Sequence, residues 1–260
     1  MIRGIIAIVI LDLKRFWQDR ARLVAGLVQP LLYLFVLGAG IGASSTMGGG
    51  DYRRFIFPGT MGLSLLFTAT FSAITIVFDR QIGFFKAVLV APVPRAAIAV
   101  GKILSGAAQA FAQGLVLLPF APLAGAPLDL PEVAATLGAM ALASLTFSAI
   151  GVAFACRFSS TTVFPIVSNA VLLPMFFLSG GLYPLTSAPH WMRVAAHFDP
   201  VAYAVDLMRG AILGRFFFPV PLSIGALAFV ITALAFEAIR IFNRGEDDSS
   251  LGASRFRWRR

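Results

Sequence analysis

Residues 133–156 read VAATLGAMALASLTFSAIGVAFAC, 24 consecutive positions without a charged side chain. Wound as a helix at about 1.5 Å per residue, such a run outreaches the roughly 30 Å hydrocarbon core of a bilayer. It does not alternate polar and apolar positions as a barrel strand does. An isolated strand in lipid would leave its backbone groups unsatisfied, so the run predicts a transmembrane helix.

Similar charge-free runs fill the rest of the chain. They are Leu23–Gly50 (28 residues), Phe55–Phe78 (24), Ile103–Leu128 (26), Phe158–Met192 (35, with His190 neutral) and Phe216–Phe236 (21). One charge at the bilayer centre costs about 2.5–3.5 kcal/mol, which is why the charges lie between the runs. The expected fold is an all-α membrane protein of six transmembrane helices, near 23–43, 57–78, 99–121, 133–156, 162–179 and 219–241. They form a single transmembrane domain over 1–242, followed by a basic tail over 243–260.

Composition agrees. Of 260 residues 58% are hydrophobic and only 13% charged, against roughly 25% charged in a soluble domain. That excludes an ordinary soluble enzyme and a disordered regulator. The single cysteine, Cys156, excludes an internal disulfide and reads as a small apolar helix residue.

With the N-terminus placed inside, sixteen of the Lys and Arg residues fall on inner segments and five (Arg53, Arg54, Arg193, Arg209, Arg215) on outer ones. Basic residues favour the cytoplasmic side, so both termini are expected there. The net charge of +9 then faces anionic lipid heads and requires no nucleic acid.

Residues 1–20 do not read as a signal peptide, because Asp12, Lys14 and Arg15 follow too early. Ile2, Ile5, Ile6, Val9, Ile10, Leu13, Phe16 and Trp17 recur at helical spacing, although Ile8 and Leu11 blur the pattern. The segment predicts an amphipathic helix on the inner leaflet with Trp17 near the headgroups. The tail from Asn243 reads as irregular and polar. The outer segment 180–218 is cut by Pro184, Pro189 and Pro200 yet rich in apolar residues. It predicts short helices that dip into the outer leaflet against the spans, with Asp206 and Arg209 one turn apart and able to pair.

Residues that would carry chemistry are scarce. Gly101-Lys102 continues with Ile103 and not Ser or Thr, and Ala96 stands where a phosphate-binding loop needs glycine. The only histidines, His190 and His197, have no metal-ligand spacing. No nucleophile elbow occurs. Catalytic residues, cofactor and metal are therefore expected to be none. A membrane-embedded lipid-modifying enzyme would need such a cluster. An ion-coupled secondary carrier would need a mid-membrane acid, and Glu237 lies near the inner end of its span. The pair Gly38/Gly42 and the repeat Ala135, Ala139, Ala143 suit close helix approach, as in a dimer.

The segment 79–95, DRQIGFFKAVLVAPVPR, places a short amphipathic helix between two prolonged spans on the inner side, ended by prolines. Its apolar face needs a cover, either lipid or a cytoplasmic partner.

This segment resembles a loop of the ABC-2 type exporter permeases, especially the branch of daunorubicin-resistance and nodulation-factor exporters. A second stretch resembles that family's signature: Phe177-Leu178-Ser179-Gly180-Gly181-Leu182-Tyr183-Pro184, then Pro189, Trp191, Asp199-Pro200, Tyr203-Ala204-Val205-Asp206 and Arg209. The likeness runs from about Pro58 to Gly214. Gln81 stands where an acid is common and Pro94 where a serine is common. The resemblance implies two permease chains, a homodimer by expectation, forming a pathway above two separate ATPase subunits. It implies an amphipathic cargo: a drug, a lipid or a lipid-linked glycan. The loop 79–97 would be the coupling loop. Arg80, Gly83, Phe84, Phe85 and Lys86, with Lys14, Arg15 and Trp17 of the first helix, would dock on the ATPase. Gly180, Gly181, Tyr183, Pro184, Asp199, Pro200, Asp206 and Arg209 would build the outer hairpin.

Overall fold

The computed structural model describes residues 2–40, 49–81, 94–158 and 160–255. Helices α1 (Ile2–Gln18) and α2 (Arg20–Leu32) meet at a corner where the Asp19 carboxylate accepts from the Arg22 amide and caps α2. There follow α3 (Gly49–Ser72), α4 (Ile74–Gln81), α5 (Arg95–Leu117), α6 (Leu130–Ala155), α7 (Val163–Leu178), α8 (His190–Phe198), α9 (Pro200–Leu213) and α10 (Val220–Arg255). No strand occurs among the described residues.

Among the described residues five segments are long and apolar enough to cross a bilayer: Arg20–Gly40, Tyr52–Gln81, Ala96–Phe120, Leu130–Ala155 and Val220–Phe242. They lie within a few residues of the expected spans. The expected span near 162–179 is helical too, but α7 has 16 residues and is therefore about 24 Å long. The charge-free run around it is longer because Gly180 and Gly181 end the helix while the sequence stays apolar. Gly180 takes a left-handed φ of 72° there, a conformation that favours glycine.

Helices α3, α5 and α6 form the centre, with α10 against α5 and α6, α2 on α3, α1 along α5, and α9 resting on α3 and α6. Lipid offers helices no hydrophobic gain from associating, so close backbone approach and hydrogen bonds must hold them. Gly106 of α5 sits between the hydroxyls of Ser72 and Ser148, and a Cβ on it would collide with both. A Cβ on Gly151 of α6 would lie 2.6 Å from Cα of Thr70 on α3. In the same layer the Ser148 hydroxyl donates to the Ile103 carbonyl at 2.7 Å.

Two irregularities have local causes. Pro30 has no amide hydrogen to give the Gly26 carbonyl; the Ser64 hydroxyl of α3 donates there at 3.2 Å. The break between α3 and α4 falls at Ala73, where Ser72 and Thr75 hydroxyls bond back to the carbonyls of Ala69 and Ser72. Such back-bonding bends helices.

α1 is amphipathic, but its most regular apolar stripe is not the one that meets the protein. Ile2, Ile6 and Ile10 are exposed, whereas Asp12 and Phe16 are buried and Ile8 packs on Gly101 of α5. Exposed Val24, Val28, Leu32 and Val36 likewise give the spanning segment Arg20–Gly40 a continuous apolar face, which suits lipid. Gly38 packs against Arg53 of the same chain, and Gly42 lies outside the described residues. α10 runs on to Arg255, past Asn243 where an irregular tail is expected, since extending a formed helix costs far less than starting one.

Gly151→Leu is expected to lower the apparent melting temperature of the purified chain by about 5–10 °C, the effect of overpacking by about 1–3 kcal/mol. Gly138→Ala on the same helix, where a Cβ meets nothing within 4 Å, should not lower it. Thermal unfolding in detergent measures both.

Candidate functional site

Two polar clusters occupy opposite ends of the bundle. At the end that carries α1, Asp12 is 5% exposed and faces α5. Its carboxylate accepts from the Lys102 ammonium at 3.0 Å and from the Ser105 hydroxyl at 3.1 Å. Ser105 in turn accepts from the Gln109 amide at 3.2 Å. Lys102 also donates to the Thr75 hydroxyl at 3.2 Å and lies 3.7 Å from the Asp79 carboxylate. One lysine thus ties α1 to α5 and to the end of α4. A buried ammonium needs such partners, because its desolvation is otherwise unpaid by any contact.

Four of the residues expected to dock a partner are described, on α1 and at the end of α4. Lys14, Arg15 and Trp17 are exposed on α1, and Arg15 lies 3.9 Å from Asp12. Arg80 donates to the Cys156 carbonyl at the end of α6 at 2.8 Å. Gln81 accepts from the Thr161 hydroxyl at 3.1 Å. Arg157 pairs with Glu237. Gly83, Phe84, Phe85 and Lys86, and the short helix expected over 81–90 beyond Gln81, lie outside the described residues. Cys156 is buried, as a small apolar residue would be.

At the far end, α9 is buried along Val201–Gly210. The Asp199 side chain caps it by accepting from the Val201 amide at 2.9 Å, with Pro200 at the first helical position, where no amide hydrogen is missed. Burial pushes the Asp199 carboxyl up to about 7.

Asp206 and Arg209 share a helix face, but their strongest contacts run to distant backbone. The Asp206 carboxylate accepts from the amides of Phe217 and Phe218 at 2.9 Å each, pinning the turn before α10. Arg209 donates to the Gly180 carbonyl at 2.7 Å and lies over the Phe55 ring, 4.3 Å from its centre. Arg209 therefore locks the turn after α7 to the start of α3. Gly181 presses its carbonyl on Gly59 of α3, where a Cβ has no room. The Tyr183 hydroxyl donates to the Phe177 carbonyl at 2.7 Å, and Tyr52 and Tyr203 donate to the carbonyls of Leu182 and His197. Pro184, Asp206 and Arg209 border a cavity of about 670 Å³ together with Arg54, Phe55 and Arg215.

All eight hairpin residues thus gather at one end. Sequence reasoning missed Asp12, Asp79, Lys102, Ser105 and Phe55 as partners. The available signal was the spacing Ile8, Asp12, Phe16, one stripe at four-residue intervals. Among the described residues no cluster of His, Cys, Asp and Glu could hold a metal ion.

The sequence pattern of the family described as ABC-2 type transporter matches residues 3–213. Nodulation protein J of Rhizobium leguminosarum bv. trifolii is 30% identical over 227 residues, 86% of each chain. Nodulation protein J of Rhizobium leguminosarum bv. viciae is 31% identical over 214 residues, 81% of this chain and 82% of that protein. The inner membrane transport permease YadH of Escherichia coli (strain K12) is 26% identical over 236 residues, 89% of this chain and 90% of that protein. With its apolar spanning helices, this multi-pass membrane chain belongs to the ABC-2 type transporter family, as the permease subunit of an ATP-binding cassette exporter.

Proposed function

We propose that the end carrying α1 is cytoplasmic and receives the stroke of a separate ATPase, which the far end converts into release of an amphipathic cargo to the other side of a bacterial inner membrane. The observation that carries this reading is Lys102. It joins Asp12 of α1 to Asp79, which stands three positions before the loop from residue 82. The two elements that the family resemblance assigns to docking are thereby joined on one span. A push on either one is transmitted to α5.

In this reading the working unit has two copies of the chain over two ATPase subunits, and the chain has no ATP site of its own. ATP favours the closed ATPase dimer, α1 and the 79–97 loop follow, and the paired spans shift toward an outward-open state. ATP can drive that shift only by its differential affinity for the two states. The basic bias of the α1 end supports the orientation. Exposed Lys14, Arg15 and Trp17 support a docking or interfacial role for α1. The cargo is an amphiphile: a drug, a lipid or a lipid-linked glycan.

Phe84→Asp combined with Phe85→Asp is expected to abolish co-purification with the cognate ATPase while membrane insertion persists. Intact assembly and transport would leave 79–97 a lipid-covered linker. Lys102→Met leaves the buried Asp12 carboxylate with Ser105 and the more distant Arg15 as its remaining partners and is expected to cost about 1–3 kcal/mol. Adding Asp12→Asn should recover part of that stability but not coupled transport, as read from melting curves and vesicle uptake with the ATPase present. A periplasmic-active reporter fused after Gly125 should score outside, and one after Arg244 inside; the reverse pattern refutes the orientation.

A further inference from the structure

We propose that the far-end cavity is a binding site for the anionic oxygen head group of an amphiphile, a phosphate or sulfate gripped by Arg54, Arg209 and Arg215, with the apolar body passing over Phe216. At about 670 Å³ the cavity falls in the range of small-molecule sites, roughly 300–1,000 Å³. Its walls come from the start of α3, from the 184–186 turn, from α9 and from the turn before α10.

Arg209 is the fixed element. It is 6% exposed, one of its nitrogens is held by Gly180 and its face lies on Phe55. Its Nε–H has no acceptor among the described residues. A buried charged donor without an acceptor is costly, and Arg209 lines the cavity, where an anion would offset its charge. Arg54 and Arg215 line the same cavity and are exposed. Among the described residues neither lies within ion-pair distance of a carboxylate.

Among the described residues Asp206 is the single acid in the wall. Both its oxygens already accept backbone amides of Phe217 and Phe218, so its charge is committed to the turn. Among the described residues three guanidinium groups stand against one such carboxylate, a positive balance. Arginine suits this task because its planar fork matches phosphate and sulfate oxygens. Phe216, 48% exposed, gives the rim an apolar side. An inorganic ion would not use that side; an amphiphile would.

That the physiological occupant is cargo rests on the export reading above, whereas the site itself does not. The test uses the full chain, purified in a neutral maltoside detergent and titrated calorimetrically with dodecyl phosphate. Saturable binding is expected. In Arg54→Ala/Arg215→Ala, two exposed positions whose loss spares the core, affinity should fall roughly tenfold or more, the effect of one lost charge-assisted hydrogen bond. Arg209→Gln should weaken binding at least as much. Full affinity in the double variant, or inorganic phosphate binding as tightly as dodecyl phosphate, would overturn the proposal. Competition by phosphatidylglycerol in nanodiscs would support the site with a bilayer lipid as its source; binding undiminished by that lipid would support it with a transported amphiphile. The measurement needs no ATPase, so failed export with intact binding removes the transport reading alone, and lost binding with intact export removes this site alone.

Discussion

The close approach of α3, α5 and α6 around Gly106 and Gly151 is the constraint on which the rest of the molecule depends. Inside lipid these helices gain nothing by hiding apolar surface from one another, so contact has to come from small residues and hydroxyl bonds. Gly106 between Ser72 and Ser148, and Gly151 on Thr70, fix the register of the three helices. That register then decides what each end can be. Lys102 is one turn from Gly106 on the same helix. When Gly106 seats against Ser72, Lys102 is delivered to Thr75 and Asp79 beyond the bend at Ala73.

The two polar ends satisfy their charges in different ways. At the α1 end, charges answer one another: Asp12, Lys102 and Asp79 form a shared set, and Arg157 meets Glu237. At the far end, charges answer backbone: Asp206 holds two amides and Arg209 holds a carbonyl. A side-chain ion pair can exchange partners as helices shift, at small net cost if each charge finds another. A carboxylate spread over two consecutive amides cannot leave without abandoning the turn it builds. The α1 end is thereby suited to receiving motion and the far end to holding a shape.

Much of this was legible in the sequence. The spans were read from charge-free runs, and five of them were placed within a few residues because the cost of a charge in lipid is large and local. The helix expected near 162–179 is present as Val163–Leu178, 16 residues long, and the apolar sequence that continues past it is cut by the glycine turn at 180–181. The exposed apolar stripe of α1 suits an amphipathic helix at a membrane surface; its packing face is the part that hydropathy does not mark. In water the most apolar stripe packs inward, whereas here Ile2, Ile6 and Ile10 remain exposed and the buried stripe contains Asp12. An acid on the packing face is visible in sequence, but the lysine that satisfies it is 90 positions away. The same distance problem hid the partners of Asp206 and Arg209. Their three-residue spacing suggested a mutual pair, while Gly180 and Phe217 compete more strongly because buried backbone groups must be satisfied.

The bend at Ala73 connects these observations to mechanism. It separates α3, clamped by Gly106, Gly151 and α9, from α4, whose end is tied by Lys102 to α1 and by Arg80 to α6. Under the proposed coupling, force applied to α1 arrives at Lys102 on the α4 side of that bend. The clamped layer lies immediately beyond, and close-packed glycine contacts do not deform gradually. The force therefore either turns α4 about Ala73 or moves α3, α5 and α6 as one body. Only the second outcome displaces the far end. It would carry the start of α3, with Arg54 and Phe55, along with α9 and the turn it pins. The far end would then move without being dismantled, which is consistent with the backbone-locked way its charges are held.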